Sequence, residues 1–162
     1  MKILFAILFV LLIFIFPQNI GAQELDRLQI FFHEIDADGE DVLNYYHITI
    51  PAWLTVENRA LVIFTEIFNN INPEKMIYAP PNVSILGISF HAAASHLIIN
   101  LSVDIMNYGG THNEYMLIQK LLANAASMAD VRYLTILIEG QEQYFPEGTL
   151  ISLHYLTAPE SK

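Results

Sequence analysis

Two segments of this chain repeat apolar side chains every three or four residues, and the apolar runs around them do not. From Thr55, in TVENRALVIFTEIFNNI, Leu61, Phe64, Ile67, Phe68 and Ile71 recur at helical spacing. Glu57, Asn58, Arg59, Thr65, Glu66 and Asn69 occupy mostly the other side. This predicts an amphipathic helix of about four turns with Thr55 as its N-cap. A second helix is expected over 112–128, with Leu117, Ile118, Leu121, Leu122, Ala125 and Met128 on one face. The segments 28–35, 43–50, 84–91, 96–102 and 131–138 are short and rich in β-branched or aromatic residues, which predicts strands, and 149–156 reads as an added edge strand. The order β-β-α-β-β-α-β, with one apolar stripe per helix, implies an α+β fold. Two helices are expected to pack on one face of a small, mostly antiparallel sheet.

Much of the remaining apolar content lies at the start. Lys2 is followed by an unbroken apolar run from Ile3 to Phe16, then Pro17, Gly21 and Ala22. That layout is a secretory signal peptide over residues 1–22, cleaved after Ala22. The run is shorter than the roughly 20 residues that cross a bilayer, so it does not read as a permanent span. Residues 23–162 are expected to form a single domain, extracytoplasmic in location. Membrane contact is expected only through residues 1–22, if they stay attached.

Without residues 1–22 the chain carries six Lys or Arg against 17 Asp or Glu, a net charge of −11. Such a surface repels phosphate backbones and anionic lipid headgroups, which argues against nucleic acid as a partner. Cysteine is absent. The sequence therefore has no disulfide framework, thiolate metal site or thiol nucleophile, and the domain must hold itself together by its core. Export without disulfides fits a bacterial envelope. Asn82-Val-Ser84 and Asn100-Leu-Ser102 match the glycosylation sequon, and in a bacterial setting both are read as chance.

The motifs with chemical counterparts read as structure. DADGEDV alternates Asp36, Asp38 and Glu40 as a calcium loop does, but the sixth position holds Asp41 instead of Gly and the twelfth holds His47 instead of an acid. It reads as a solvated turn. Gly109-Gly110 in NYGGTHNEYM lacks the Lys-Ser/Thr of a phosphate loop and the third glycine of a dinucleotide fingerprint. Thr111 and Glu114 have the spacing of a capping box, which predicts a strand exit followed by a helix cap. His33, His47, His91, His96, His112 and His154 form neither an i, i+4 helical pair nor an HExxH unit, although His91 and His96 flank one turn and could meet across a hairpin. No GxSxG elbow occurs, and the acids fall mainly in loops. No catalytic, cofactor-binding or metal-binding residue is assigned. Tyr45 and Tyr46 must face opposite sides of a strand, so one ring is expected outside. Exposed aromatics such as Tyr46 or Trp53 would suit an alternative role, as a module that binds a cell-wall glycan.

Taken in order, these segments resemble the GerMN domain of the GerM sporulation and germination protein family. The resemblance runs over about residues 28–157. It rests on LQIFF and the Asp-Gly turn, NRALVIFTEIF, INLSVDIM, GGTHNEYMLIQKLLANAA and VRYLTILIEGQ. Asn69-Asn70 stands where family members often carry Gly-Pro, and the chain has no cysteine for a lipid anchor. The resemblance implies a ring-building-motif-like, non-enzymatic envelope domain without a cofactor. It would act by contact with envelope proteins or with copies of itself, in sporulation, germination or envelope organisation.

Overall fold

The computed structural model describes residues 24–69 and 79–158. The expected signal peptide and Ile71 lie outside them. The first two strands, β1 (Leu25–Ile35) and β2 (Asp41–Pro51), form an antiparallel hairpin that pairs Phe31 with Tyr45 and His33 with Leu43. Asp36 builds the turn. Its carboxylate accepts from the backbone N–H groups of Asp38 and Glu40, and Gly39 supplies a φ of 83° that other residues rarely adopt. The carboxylate that most resembled a calcium ligand thus closes its own loop.

Helix α1 (Val56–Phe68) begins as the sequence predicts, with the Thr55 hydroxyl accepting from the Asn58 N–H at 3.3 Å. Its buried stripe is Ala60, Ile63, Phe64, Ile67 and Phe68, so the expected stripe is rotated and Leu61 is 46% exposed. Ala60 faces inward because its small side chain lets the helix backbone approach its neighbours. After α1 come β3 (Ile85–His91), a 3-10 turn at Ala92–Ala94 and β4 (His96–Leu101). A second 3-10 turn (Val103–Met106) leads to α2 (Gly110–Ala126), and β5 (Tyr133–Ile138) follows. Of the expected strand 149–156 only β6 (His154–Tyr155) joins a ladder. Leu153 has a φ of 45°, which breaks the extended run just before it.

The fold is α+β, and its strands divide into two sheets. β1 and β2 form one; the other runs β3-β4-β5-β6. Within it β4 and β5 are parallel, because the connection between them contains α2 and returns the chain to the same end of the sheet. One face of this sheet, including Leu97, Ile99, Leu101, Leu134, Ile136 and Ile138, shares a core with α1, α2 and Leu28, Ile30 and Ile50 of the hairpin. The NLS and EG motifs interlock beside it. The Asn100 side chain accepts from the Gly140 N–H, Glu139 accepts from the Val103 N–H, and the Ser102 hydroxyl accepts from the Ser84 N–H.

The hairpin stays apart from the larger sheet, and at Phe31 the second edge of β1 is met by a side chain instead of a strand. Asn124 of α2 accepts from the Phe31 N–H at 3.0 Å and donates to the Phe31 carbonyl at 2.8 Å. Its amide stands where a neighbouring strand's peptide group would be. With the hairpin on one side and the core on the other, α2 is buried around most of its circumference, including Glu114, Lys120 and Asn124. The single apolar stripe expected for this helix is therefore only part of its buried surface.

Candidate functional site

A cleft of about 860 Å3 opens between the turn end of the hairpin, the outer side of α2 and the segment after β6. β1 and β2 contribute His33, Asp41 and Leu43; α2 contributes His112, Tyr115 and Gln119; His154 and Leu156 close the far wall. Tyr115 is 59% exposed, whereas the buried Met116 adds apolar lining. His112 Nε2 lies 3.0 Å from Asp41 Oδ2, joining the start of α2 to the start of β2. The pair is ionic only when the imidazole is protonated, and the His112 side chain is 64% exposed.

Two buried basic groups stand behind the rim. Burial, and then the charge of Lys120, pushes His33 down to about 4, with Asp41 opposing the change. His33 is thus neutral at neutral pH. Lys120 is fully buried on α2, and burial alone brings it down to about 8. Among the described residues no three His, Asp or Glu side chains come together as a metal-binding group. The geometry of the cleft is that of a mixed apolar and hydrogen-bonding surface, suited to contact with an extended segment or a flat side chain.

The other motifs are distributed as follows. The expected capping box does not form, since the N-cap of α2 is Gly109 and no side chain caps it. Gly110, with a φ of 79°, turns the chain into the helix. The Thr111 hydroxyl donates instead to Glu147, and the buried Glu114 carboxylate accepts from the Tyr108 hydroxyl and from the N–H groups of Glu147 and Thr149. Burial by itself would raise the Glu114 pKa, but the donors from Thr149, Tyr108 and Glu147 outweigh it and hold the group below its ordinary value. A local cap was the nearest partner the sequence could offer. The loop at 144–149 supplies stronger donors from 33 and 35 residues away.

His91 and His96 do meet across their turn, with ring centroids 6.2 Å apart. Tyr45 and Tyr46 face opposite sides, against Phe31 and Phe32 respectively. Tyr46 is not the free ring expected for glycan contact. It is half-buried, its hydroxyl donates to Glu66 at 3.2 Å, and its pKa is pushed up to about 12 by burial and by Glu66. Trp53 is 69% exposed. The cleft itself was not visible in the sequence, because His33, Asp41, His112 and His154 are brought together only by tertiary packing. Tyr133 and Tyr155 were also missed. Their alternation with Leu134, His154 and Leu156 was the signal that they face away from the core.

This is a small α+β domain with a surface cleft, and no helix among its described residues is long and apolar enough to cross a membrane. Its fold is that of a GerMN domain. The first GerMN domain of the sporulation protein GerM from Bacillus subtilis superposes with a TM-score of 0.56 at 16% identity, over 80% of this chain and 97% of that one. The tandem GerMN domains of the same protein match at a TM-score of 0.57 and 15% identity, covering 81% of this chain and 46% of the tandem chain. Compared by sequence, the chain matches no protein-family profile and no curated protein.

Proposed function

We propose that this protein is an exported, non-enzymatic domain of the GerMN type that acts in the bacterial cell envelope by protein–protein contact. The observation that carries the reading is the likeness of fold to a GerMN domain over nearly its whole length. The signal-peptide layout of residues 1–22 and the absence of cysteine support the extracytoplasmic location. The cleft beside α2 is the contact surface, with Tyr115 as its exposed aromatic anchor and Leu43 and Leu156 as its apolar walls. Its occupant is a segment of another envelope protein or of a second copy, in sporulation, germination or envelope organisation.

The test is a photo-crosslinking amino acid placed at Tyr115 in exporting cells. A discrete adduct is expected from Tyr115 and none from the same probe at Asn82, an exposed turn residue. A protein that stays strictly monomeric and gives no adduct from Tyr115 would overturn the proposal.

A further inference from the structure

The face of the four-stranded sheet turned away from the core carries one ring on each strand. His91 lies opposite His96 across β3 and β4, His96 is in register with Tyr133 across β4 and β5, and Tyr133 is in register with Tyr155 across β5 and β6. The His91 and His96 rings are 6.2 Å apart, and the Tyr133 and Tyr155 rings 5.5 Å apart. Strand alternation keeps all four on one face, since their neighbours Leu97 and Leu134 are fully buried in the core. His91 is exposed and Tyr155 is 60% exposed, so both ends of the row are open.

The row is also fixed. His96 Nε2 lies 2.9 Å from the Thr135 hydroxyl, which in turn accepts from the Leu153 N–H, and this ties β4, β5 and the segment before β6 together. Burial, and then His91, lowers the His96 pKa, so that ring is neutral at neutral pH. Three strand spacings separate the first ring from the last, roughly 14 Å.

We propose that this row is a stacking platform for an uncharged oligosaccharide of about three pyranose units. Three features select that occupant. The ring spacings of 6.2 and 5.5 Å are close to that of linked pyranoses, and the tilts of 32° and 65° within the two pairs suit a chain whose units turn along its length. The row itself has no Asp, Glu, Lys or Arg, so the hydroxyl groups of a sugar meet hydrogen-bonding edges from His91 and the two tyrosines. Nucleic-acid bases also stack on such rings, but a chain of net charge −10 repels their phosphates. The site is separate from the cleft, and the inference does not depend on the contact reading above. It places glycan recognition on Tyr133 and Tyr155 instead of on Tyr46.

The test uses the full chain purified from an exporting bacterium, titrated with tetra-N-acetylchitotetraose, cellotetraose and a short oligothymidylate while its NMR spectrum is followed. Saturable shifts on β4, β5 and β6 are expected with at least one of the two sugars and none with the oligonucleotide. Tyr155→Ala, on a short exposed strand, is expected to weaken binding by about fivefold, as loss of one ring contact does. Tyr155→Phe, which keeps the ring, is expected to bind within about twofold of the parent, whereas loss of a fold element would weaken both variants. Absence of binding by either sugar, equal affinity in Tyr155→Ala, or loss of binding in Trp53→Ala instead would overturn the proposal. So would concentration-dependent dimerisation that Tyr155→Ala abolishes in the absence of sugar binding.

Discussion

Replacing Asn124 with Ala removes the side chain that stands in for a neighbouring strand at Phe31 of β1. Asn124 is fully buried and bonds both backbone groups of Phe31, itself 2% exposed. Water cannot reach these groups to replace the amide, so the substitution leaves one N–H and one C=O buried without partners. Each such group costs about 1–3 kcal/mol, and the pair therefore about 2–6 kcal/mol. Loss of the Asn124 bond to the Lys120 carbonyl adds little, because that carbonyl lies inside a helix and has backbone donors nearby. The assay is urea unfolding of the parent and of Asn124→Ala, with Asn58→Ala on the exposed side of α1 as a control expected to change stability by less than about 0.5 kcal/mol. Hydrogen exchange supplies the local reading: the Phe31 amide should lose protection by more than the Ile99 amide in the central strand of the other sheet. A loss below about 1 kcal/mol, or equal changes at Phe31 and Ile99, would refute the claim that Asn124 closes the edge of β1.

Glu114→Ala should cost about 3–5 kcal/mol, because three donors lose a charged acceptor in a buried site, and Thr111→Ala should cost less than about 0.5 kcal/mol in the same urea assay. Similar small effects from both would restore the capping-box reading. Thr55→Ala should cost about 1 kcal/mol through loss of the α1 cap. His33 sets a pH window. Its folded pKa of about 4 is below the ordinary 6.5, so the unfolded chain binds the proton first as pH falls, and the folded state loses up to about 3 kcal/mol between pH 6.5 and 4. His33→Leu should flatten the stability profile across that window, and an unchanged slope would count against the buried neutral imidazole. Glu114 acts lower, since its depressed pKa gives stability that is present above about 4.5 and lost as pH falls through the folded value.

The helices, the hairpin and most strands were legible because each announces itself within a few residues: a Thr cap before an apolar stripe, an Asp-Gly turn between aromatic runs. What was not legible depended on residues far apart in sequence. The stripe of α1 was displaced because packing against strands selected Ala60 over Leu61, and periodicity alone values the larger side chain. Glu114 matched a local rule and then found donors beyond residue 145. The contact that meets the free edge of β1 at Phe31 comes from Asn124, a polar residue in a helix that local pattern would assign to the solvent side. The cleft followed the same logic, being assembled from four segments whose proximity no spacing rule records. The ring row lay between these cases: alternation in VRYLTILI and HYL marked which residues face outward, but only the register placed them side by side.

The bond between Phe31 and Asn124 spans 93 residues, which has a consequence for when this domain can acquire its shape. A ribbon of two strands alone is marginally stable in water, and this one has its inner edge unsatisfied until α2 has formed. The first strands to emerge during synthesis therefore cannot lock until most of the polypeptide exists. Contacts of such high sequence separation also slow folding. For the exported chain proposed above, such a delay would keep the leading hairpin pliable during translocation, because the amide that fastens it lies 93 residues downstream.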